Sequence, residues 1–204
     1  MPMFPLGSVL LPGGVLPLHV FEPRYRQLVM DCVEREEHDF GVVLIARGHE
    51  VGGGEDRRMV GTVARMVQVA ETDDGRFAVV SVGTHRIRIS AWLPDDPYPL
   101  ADVEDWPDDD PDDARVAELV AELTPRVRRA AALALELGDG VADPQQEVSD
   151  DPLVASYHLC ALAPLSVVDR YDLLSAAGPY ERLTSLRDRM SDVEALLALR
   201  LGTD

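Results

Sequence analysis

The apolar residues of this chain change their spacing once, across a decapeptide that belongs to neither pattern, EDWPDDDPDD at 104–113. Before it, short runs rich in Val and Ile are bounded by Pro, Gly and Asp: MFPL, VLPLHVF, FGVVLIA (40–46), MVGTVARMVQVAE (59–71) and FAVVSVGTHRIRISAWL (77–93). These read as strands, and many short strands at this spacing point to a barrel or rolled sheet rather than to βαβ units. After it, apolar residues recur every three or four positions, the period of helices packed in a bundle. The decapeptide carries seven acids, two Pro and no base, so it reads as a self-repelling connector. The expected organisation is a β unit over 1–103, an acidic linker over 104–113 and an α-helical bundle over 114–204.

The formal net charge is −18. Residues 1–103 carry 10 Arg against 15 acids, and residues 114–204 carry 9 Arg against 15 acids. Phosphate binding needs a basic face, so the balance argues against nucleic acid and against anionic membranes as partners. No apolar run approaches the roughly 18 residues of a membrane span, and the N-terminus lacks the basic region and cleavage site of a signal peptide. Cys32 and Cys160 are far apart, so no disulfide framework is expected and a reducing, cytoplasmic setting follows. All 19 basic residues are Arg. This chain therefore supplies no P-loop lysine, no Schiff base and no Ser-Lys dyad.

Within the β half, Tyr25, Leu28, Val29, Cys32 and Val33 fall on one helical stripe, which places a single helix over 23–36. Pro23 suits its first position, and Glu22 puts an acid at the positive end of its dipole. TDDGR (72–76) supplies an Asp-Gly hairpin turn. The HRIRI alternation puts Ile87 and Ile89 on one face of a strand, with Arg86 and Arg88 opposite. In the helical half, Pro125 is expected to kink or divide the first helix. Asp151-Pro152, Ser166 and Pro179 each mark a helix start. In the last helix Leu183, Leu186, Met190, Val193 and Leu197 form a packing seam.

Each possible catalytic motif is weaker than its structural alternative. GHEVGGGEDRR lacks the ending a P-loop requires, and His49-Glu50 lacks the second His of a zinc-protease helix. Ser81 lies in a strand rather than at a strand-to-helix turn. Cys32 sits on an apolar stripe, as a buried thiol would. His158 and Cys160 are two apart and cannot share a helical face. No metal site and no cofactor is expected. PLHVFEPRYRQL (17–28) crowds His19, Glu22, Arg24, Tyr25 and Arg26 together. It reads as a strand-to-helix corner in which Glu22 pairs with Arg26 and Arg24 is exposed, His19 and Phe21 sharing one face. A ligand-contacting rim is the second reading, because helix N-termini bind anions; no third group is visible to orient His19 for catalysis.

The order of these segments resembles the opening of the N-terminal domain of Lon, the ATP-dependent protease La. Phe4-Pro5-Leu6, Pro12-Gly13, Pro17-Leu18 and Phe21-Glu22-Pro23-Arg24-Tyr25-Arg26 carry the resemblance, with VGTVARM (60–66), DGRFAVVSVGTHRIRI (74–89) and LSVVDRYDLLSAAGPYERLTSLRDRM (165–190). It implies an α+β fold: an N-terminal PUA-like β-barrel with one inserted helix, followed by a C-terminal α-helical bundle. It also implies a role, since in the full protease this domain recognises substrate polypeptides. The leading expectation is a stand-alone, non-catalytic adaptor that binds exposed apolar segments of unfolded or partly unfolded polypeptides in a groove between barrel and bundle, with a separate ATP-dependent protease as a candidate partner. His19, Phe21, Glu22, Arg24 and Arg86 are the candidate peptide-binding or rim residues, and the Gly-rich loop at 47–58 is a candidate gate. A hydrolase using His19 or Ser81, an RNA-binding PUA-like module and a homo-oligomer built on the final helix are the alternatives.

Overall fold

A computed structural model describes residues 1–35, 37–48, 50, 54–139 and 142–202. The chain forms two compact units, Met1–Pro107 and Asp108–Asp204.

The first unit holds six strands, β1 (Met3–Leu6), β2 (Val15–Val20), β3 (Asp39–Arg47), β4 (Asp56–Glu71), β5 (Phe77–Leu93) and β6 (Leu100–Asp105), and one helix, α1 (Pro23–Val33). The strand order is β1-β3-β4-β5-β2, with β6 also on β5; β1 and β3 are parallel and the other pairs antiparallel. Of the two expected forms, a barrel or a rolled sheet, the barrel is corrected: the sheet is open. Strand β5 is a single long element, and its outer edge is shared: residues 77–82 pair with β2 and residues 87–93 with β6. Strand β6 returns to β1 by a single bridge, Pro2 to Leu100, flanked by bonds from Met3 N to Pro99 O and from Ala101 N to Met1 O. Strand β2 has no partner on its far side among the described residues.

The changeover on β5 falls at Gly83. Gly13 N donates to its carbonyl and its own N–H donates to Gly14 O, while Thr62 Oγ1 donates to Leu10 O at 2.6 Å. A Cβ at Gly83 would lie 2.5 Å from Leu11 O, so the backbone of 10–14 crosses where a side chain would stand. Tyr25, Leu28, Val29 and Cys32 of α1 face inward against Phe4, Val20, Phe40 and Val79. The predicted helical stripe is therefore the buried one, except that Val33 is exposed.

The second unit is helical: α2 (Ala114–Glu136), α3 (Pro152–Leu162), α4 (Val167–Leu174) and α5 (Pro179–Leu201). Asp113, Asp151 and Ser166 cap α2, α3 and α4 through their side chains. Pro125 does not divide α2. A mid-helix Pro costs about 3 kcal/mol, and fully burying one aliphatic side chain returns about 1.5–3. Val116, Leu119, Leu123 and Val127 on either side of it are all buried.

The acidic decapeptide is not a solvated connector over its length. Glu104 and Asp105 end β6, and Trp106 lies under the Arg86 and Arg88 guanidinium groups at 4.2 and 3.8 Å. In the helical unit, Asp108 pairs with Arg182, which is 0% exposed. Arg182 also donates to Leu173 O, Ser156 Oγ and Tyr157 Oη, and its guanidinium lies 3.8 Å from the Tyr157 ring centroid. A buried charge of this kind persists because a carboxylate and three further acceptors take its N–H groups.

Two outcomes are expected from urea unfolding. Gly83→Ala lowers the stability of the sheet unit by about 1–3 kcal/mol, the usual cost of forcing atoms into a packed interior. Arg182→Ala lowers that of the helical unit by about 3–5 kcal/mol, because it removes the countercharge of Asp108 and the donor to the buried acceptors around it.

Candidate functional site

Two sheet edges, those of β1 and β2, meet a cavity of about 180 Å³ rather than each other. Phe4 and Leu6 of β1, Leu18 and Val20 of β2, and Tyr25 of α1 form its apolar walls; His19, Phe21, Glu22 and Glu50 stand around it. The strand period explains this division. Leu16, Leu18 and Val20 face the core, while Val15, Pro17 and His19 are exposed, as alternation requires. Phe21, just past the strand, is 53% exposed.

Tyr25 is the floor. Its ring stacks on Phe4 with centroids 4.1 Å apart, and the Arg24 guanidinium lies over it at 4.4 Å. Its hydroxyl is buried without a protein partner among the described residues, and burial, reinforced by Glu55 and Glu22, pushes its pKa well above the usual phenol value. Arg24 is only partly exposed, not free on the helix surface: Nε donates to Glu22 Oε2 at 3.2 Å and Nη2 to Glu50 O at 3.3 Å. Glu22 thus pairs with Arg24 and not with Arg26; it reaches Arg26 through the backbone, Arg26 N donating to Glu22 O. The Glu50 carboxylate accepts from Gly7 N. Of the Gly-rich segment read as a gate, residues 49 and 51–53 lie outside the described residues.

His19 and Phe21 also line a second hollow of about 540 Å³, against Thr72, Asp73, Asp74, Arg76 and Ala78. This is the predicted Asp-Gly turn. Thr72 N donates to Arg76 O at 2.9 Å, and the Thr72 hydroxyl and Arg76 N–H hold the Asp74 carboxyl below the usual carboxylate range. Asp74 also pairs with Arg76 at 3.0 Å. Asp73 has no hydrogen bond or ion pair among the described residues.

Four of the five candidate residues therefore come together: His19, Phe21, Glu22 and Arg24. Arg86 does not join them. It is 1% exposed, its guanidinium stacked on Trp106, with Nη2 donating to Pro107 O. Ser81 is enclosed in β5 at 0% exposure, whereas His19 faces out. Cys32 is fully buried, its thiol pushed up to about 11 by desolvation. His158 in α3 accepts a hydrogen bond from Ser149 N at 3.2 Å, and burial lowers its pKa. Among the described residues no group of three His, Cys, Asp or Glu side chains is placed to hold a metal ion, and no helix is long and apolar enough to cross a membrane.

Residues 1–192 match the family model of the ATP-dependent protease La (LON) substrate-binding domain. The chain belongs to this family. Lon protease of Anaeromyxobacter dehalogenans is 35% identical over 140 residues, which are 67% of this chain and 16% of that protein. Lon protease 2 of Sorangium cellulosum is 32% identical over 182 residues, 86% and 22% respectively, and Escherichia coli Lon protease is 27% identical over 201 residues, 96% and 25%. The chain thus spans a sixth to a quarter of the length of these relatives. The crystal structure of a Lon N-terminal domain protein from Xanthomonas campestris superposes with a TM-score of 0.68 at 29% identity, covering 92% of this chain and 96% of that one. The N-terminal domain of Mycobacterium avium complex Lon protease shares the fold, with a TM-score of 0.66 at 21% identity over 94% of this chain and 97% of that one.

The walls of the cavity are the part of the site that the sequence does not show. FPL marks a strand, but only the pairing of β1 beside β3 brings Phe4 and Leu6 opposite Leu18 and Val20. Tyr25→Phe is expected to be neutral or stabilising in thermal unfolding, since it removes a buried hydroxyl that lacks a partner. Tyr25→Ala is expected to cost about 3–5 kcal/mol, as aromatic truncations in cores do.

Proposed function

We propose that this domain is a non-catalytic recognition module that binds exposed apolar segments of unfolded or partly unfolded polypeptides. It hands them to an ATP-dependent protease, in the same chain or a separate one, in a cytoplasmic setting. The observation that carries this reading is the apolar cavity between the β1 and β2 edges, with Phe21 exposed at its mouth. A pocket of this kind takes one apolar side chain, and the surrounding polar groups orient the segment. Phe21 supplies apolar contact, Glu22 and Arg24 hold each other and the mouth in shape, and His19 borders the entrance. Arg86 serves the sheet instead, as a clamp on Trp106. Family membership supports the role, because the matched model is that of a substrate-binding domain. The sheet unit is read as an opened relative of a PUA-like barrel. A hydrolase reading gains nothing here: Ser81 is enclosed in β5, and His19 makes no side-chain hydrogen bond or ion pair among the described residues that would orient it for catalysis.

The test is a titration of the full chain with a client protein held unfolded and with the same client folded. Binding of the unfolded form alone is expected. Phe21→Ser is expected to weaken it about tenfold or more, the equivalent of losing most of one buried aromatic contact. Equal binding of both client forms, or none of either, removes the proposal.

A further inference from the structure

Strand β2 ends the sheet with one edge unpaired among the described residues. Its sequence shows which backbone groups face that edge. Pro17 lies within the run Val15–Val20 that pairs continuously with β5. A proline can sit in a paired strand only where its nitrogen points away from the partner. Two residues on, His19 turns its N–H and carbonyl the same way, and two residues back so does Val15. The open edge therefore presents alternate backbone donors and acceptors beside the mouth of the seam cavity, which begins at Pro17 and Leu18.

The charge beside this edge is negative. Glu22 and Glu50 stand at one hollow, and Asp73 and Asp74 at the other. Arg24 and Arg76 are committed to Glu22 and Asp74, and the Arg26 guanidinium lies against Gly75 in the turn. Four acids thus face three Arg, a small excess. It sits within a unit whose residues 1–107 carry 17 acids and 10 Arg, so the field at the edge favours cations over a longer range. Asp73 is the carboxylate left without a partner among the described residues, in a turn facing His19 and Phe21.

We infer that a client segment is captured as an added strand on the open edge of β2, with one apolar side chain in the seam cavity and a Lys or Arg of the same segment over Asp73. This rests on the recognition reading above and names its substrate class: extended, apolar and basic. Strand addition draws affinity from backbone hydrogen bonds and specificity from pockets for alternate side chains. Both are present here, and Pro17, by withholding one donor, keeps the edge from pairing along its whole length. That limit suits a site that must release what it holds.

The experiment uses the full chain and labelled decapeptides with one apolar core. One is flanked by Lys and one by Glu, and two copies of the Lys peptide are N-methylated on alternate residues in the two possible phases. At about 50 mM salt the Lys peptide is expected to bind at least tenfold more tightly than the Glu peptide, and the gap to close as salt rises and screening shortens. Asp73→Arg, in an exposed turn, is expected to shrink the gap. One N-methylated phase is expected to lose at least tenfold in affinity and the other to bind like the parent. Equal affinity for Lys and Glu peptides overturns the basic preference, and equal affinity of the two N-methylated phases overturns strand addition; either result leaves the recognition reading standing. Failure of every peptide while unfolded clients still bind overturns the inference alone, and failure of both overturns the recognition reading with it.

Discussion

The backbone of β5 sets the form of the sheet unit. A strand of 17 residues must satisfy its hydrogen-bonding groups along two edges. On one edge β4 does so through the register from Glu71 opposite Phe77 to Val60 opposite Arg88. On the other, no single partner is long enough, and β2 and β6 divide it at Gly83. The division places β2 at one limit of a curled sheet and leaves its outer edge without a partner among the described residues. The gap between that edge and β1 is where the apolar cavity lies. The site is thus a consequence of incomplete closure: a closed barrel would have used the β2 edge for its own hydrogen bonds and filled the seam with side chains.

The corner after β2 converts this gap into a shaped hollow. Pro23 starts α1, so the chain turns sharply and lays Tyr25 against Phe4. Arg24 then lies over the same ring while bonding Glu22 and the Glu50 carbonyl. The polar residues that suggest catalysis in the sequence are mostly spent on one another here. They brace an entrance whose interior is apolar, an arrangement suited to recognition. The helical unit uses charge similarly. Arg182 is sequestered with Asp108, Ser156 and Tyr157, and ties the segment before α2 to the helices around it.

Much of this was legible from local chemistry. The α1 stripe, the caps at Asp151 and Ser166, and the turn at 72–76 all follow from residues within a few positions of each other, because helix caps and tight turns are short-range structures. Where the local reading failed, a distant partner had intervened. Pro125 is carried inside α2 by burial on both sides. Arg86 reads as a surface residue by alternation, but Trp106 comes from twenty residues away to cover it. Glu22 has two Arg within reach, and the position of Glu50 favours the nearer.

Family membership and the existence of a sheet unit and a helical unit are written in the sequence itself, in FEPRYR and its flanks and in the change of apolar period at 104–113. A period records which face of each element is buried, and nothing more. It does not record which elements become neighbours. That β1 lies beside β3, that β5 serves two partners, and that the sheet stays open at β2 are decided by long-range backbone pairing, in which each strand competes for edges made available by the others. The cavity belongs to this second class. Its residues come from β1, β2, α1 and the segment after β3, and their shared apolar surface exists only once the open sheet has brought them together.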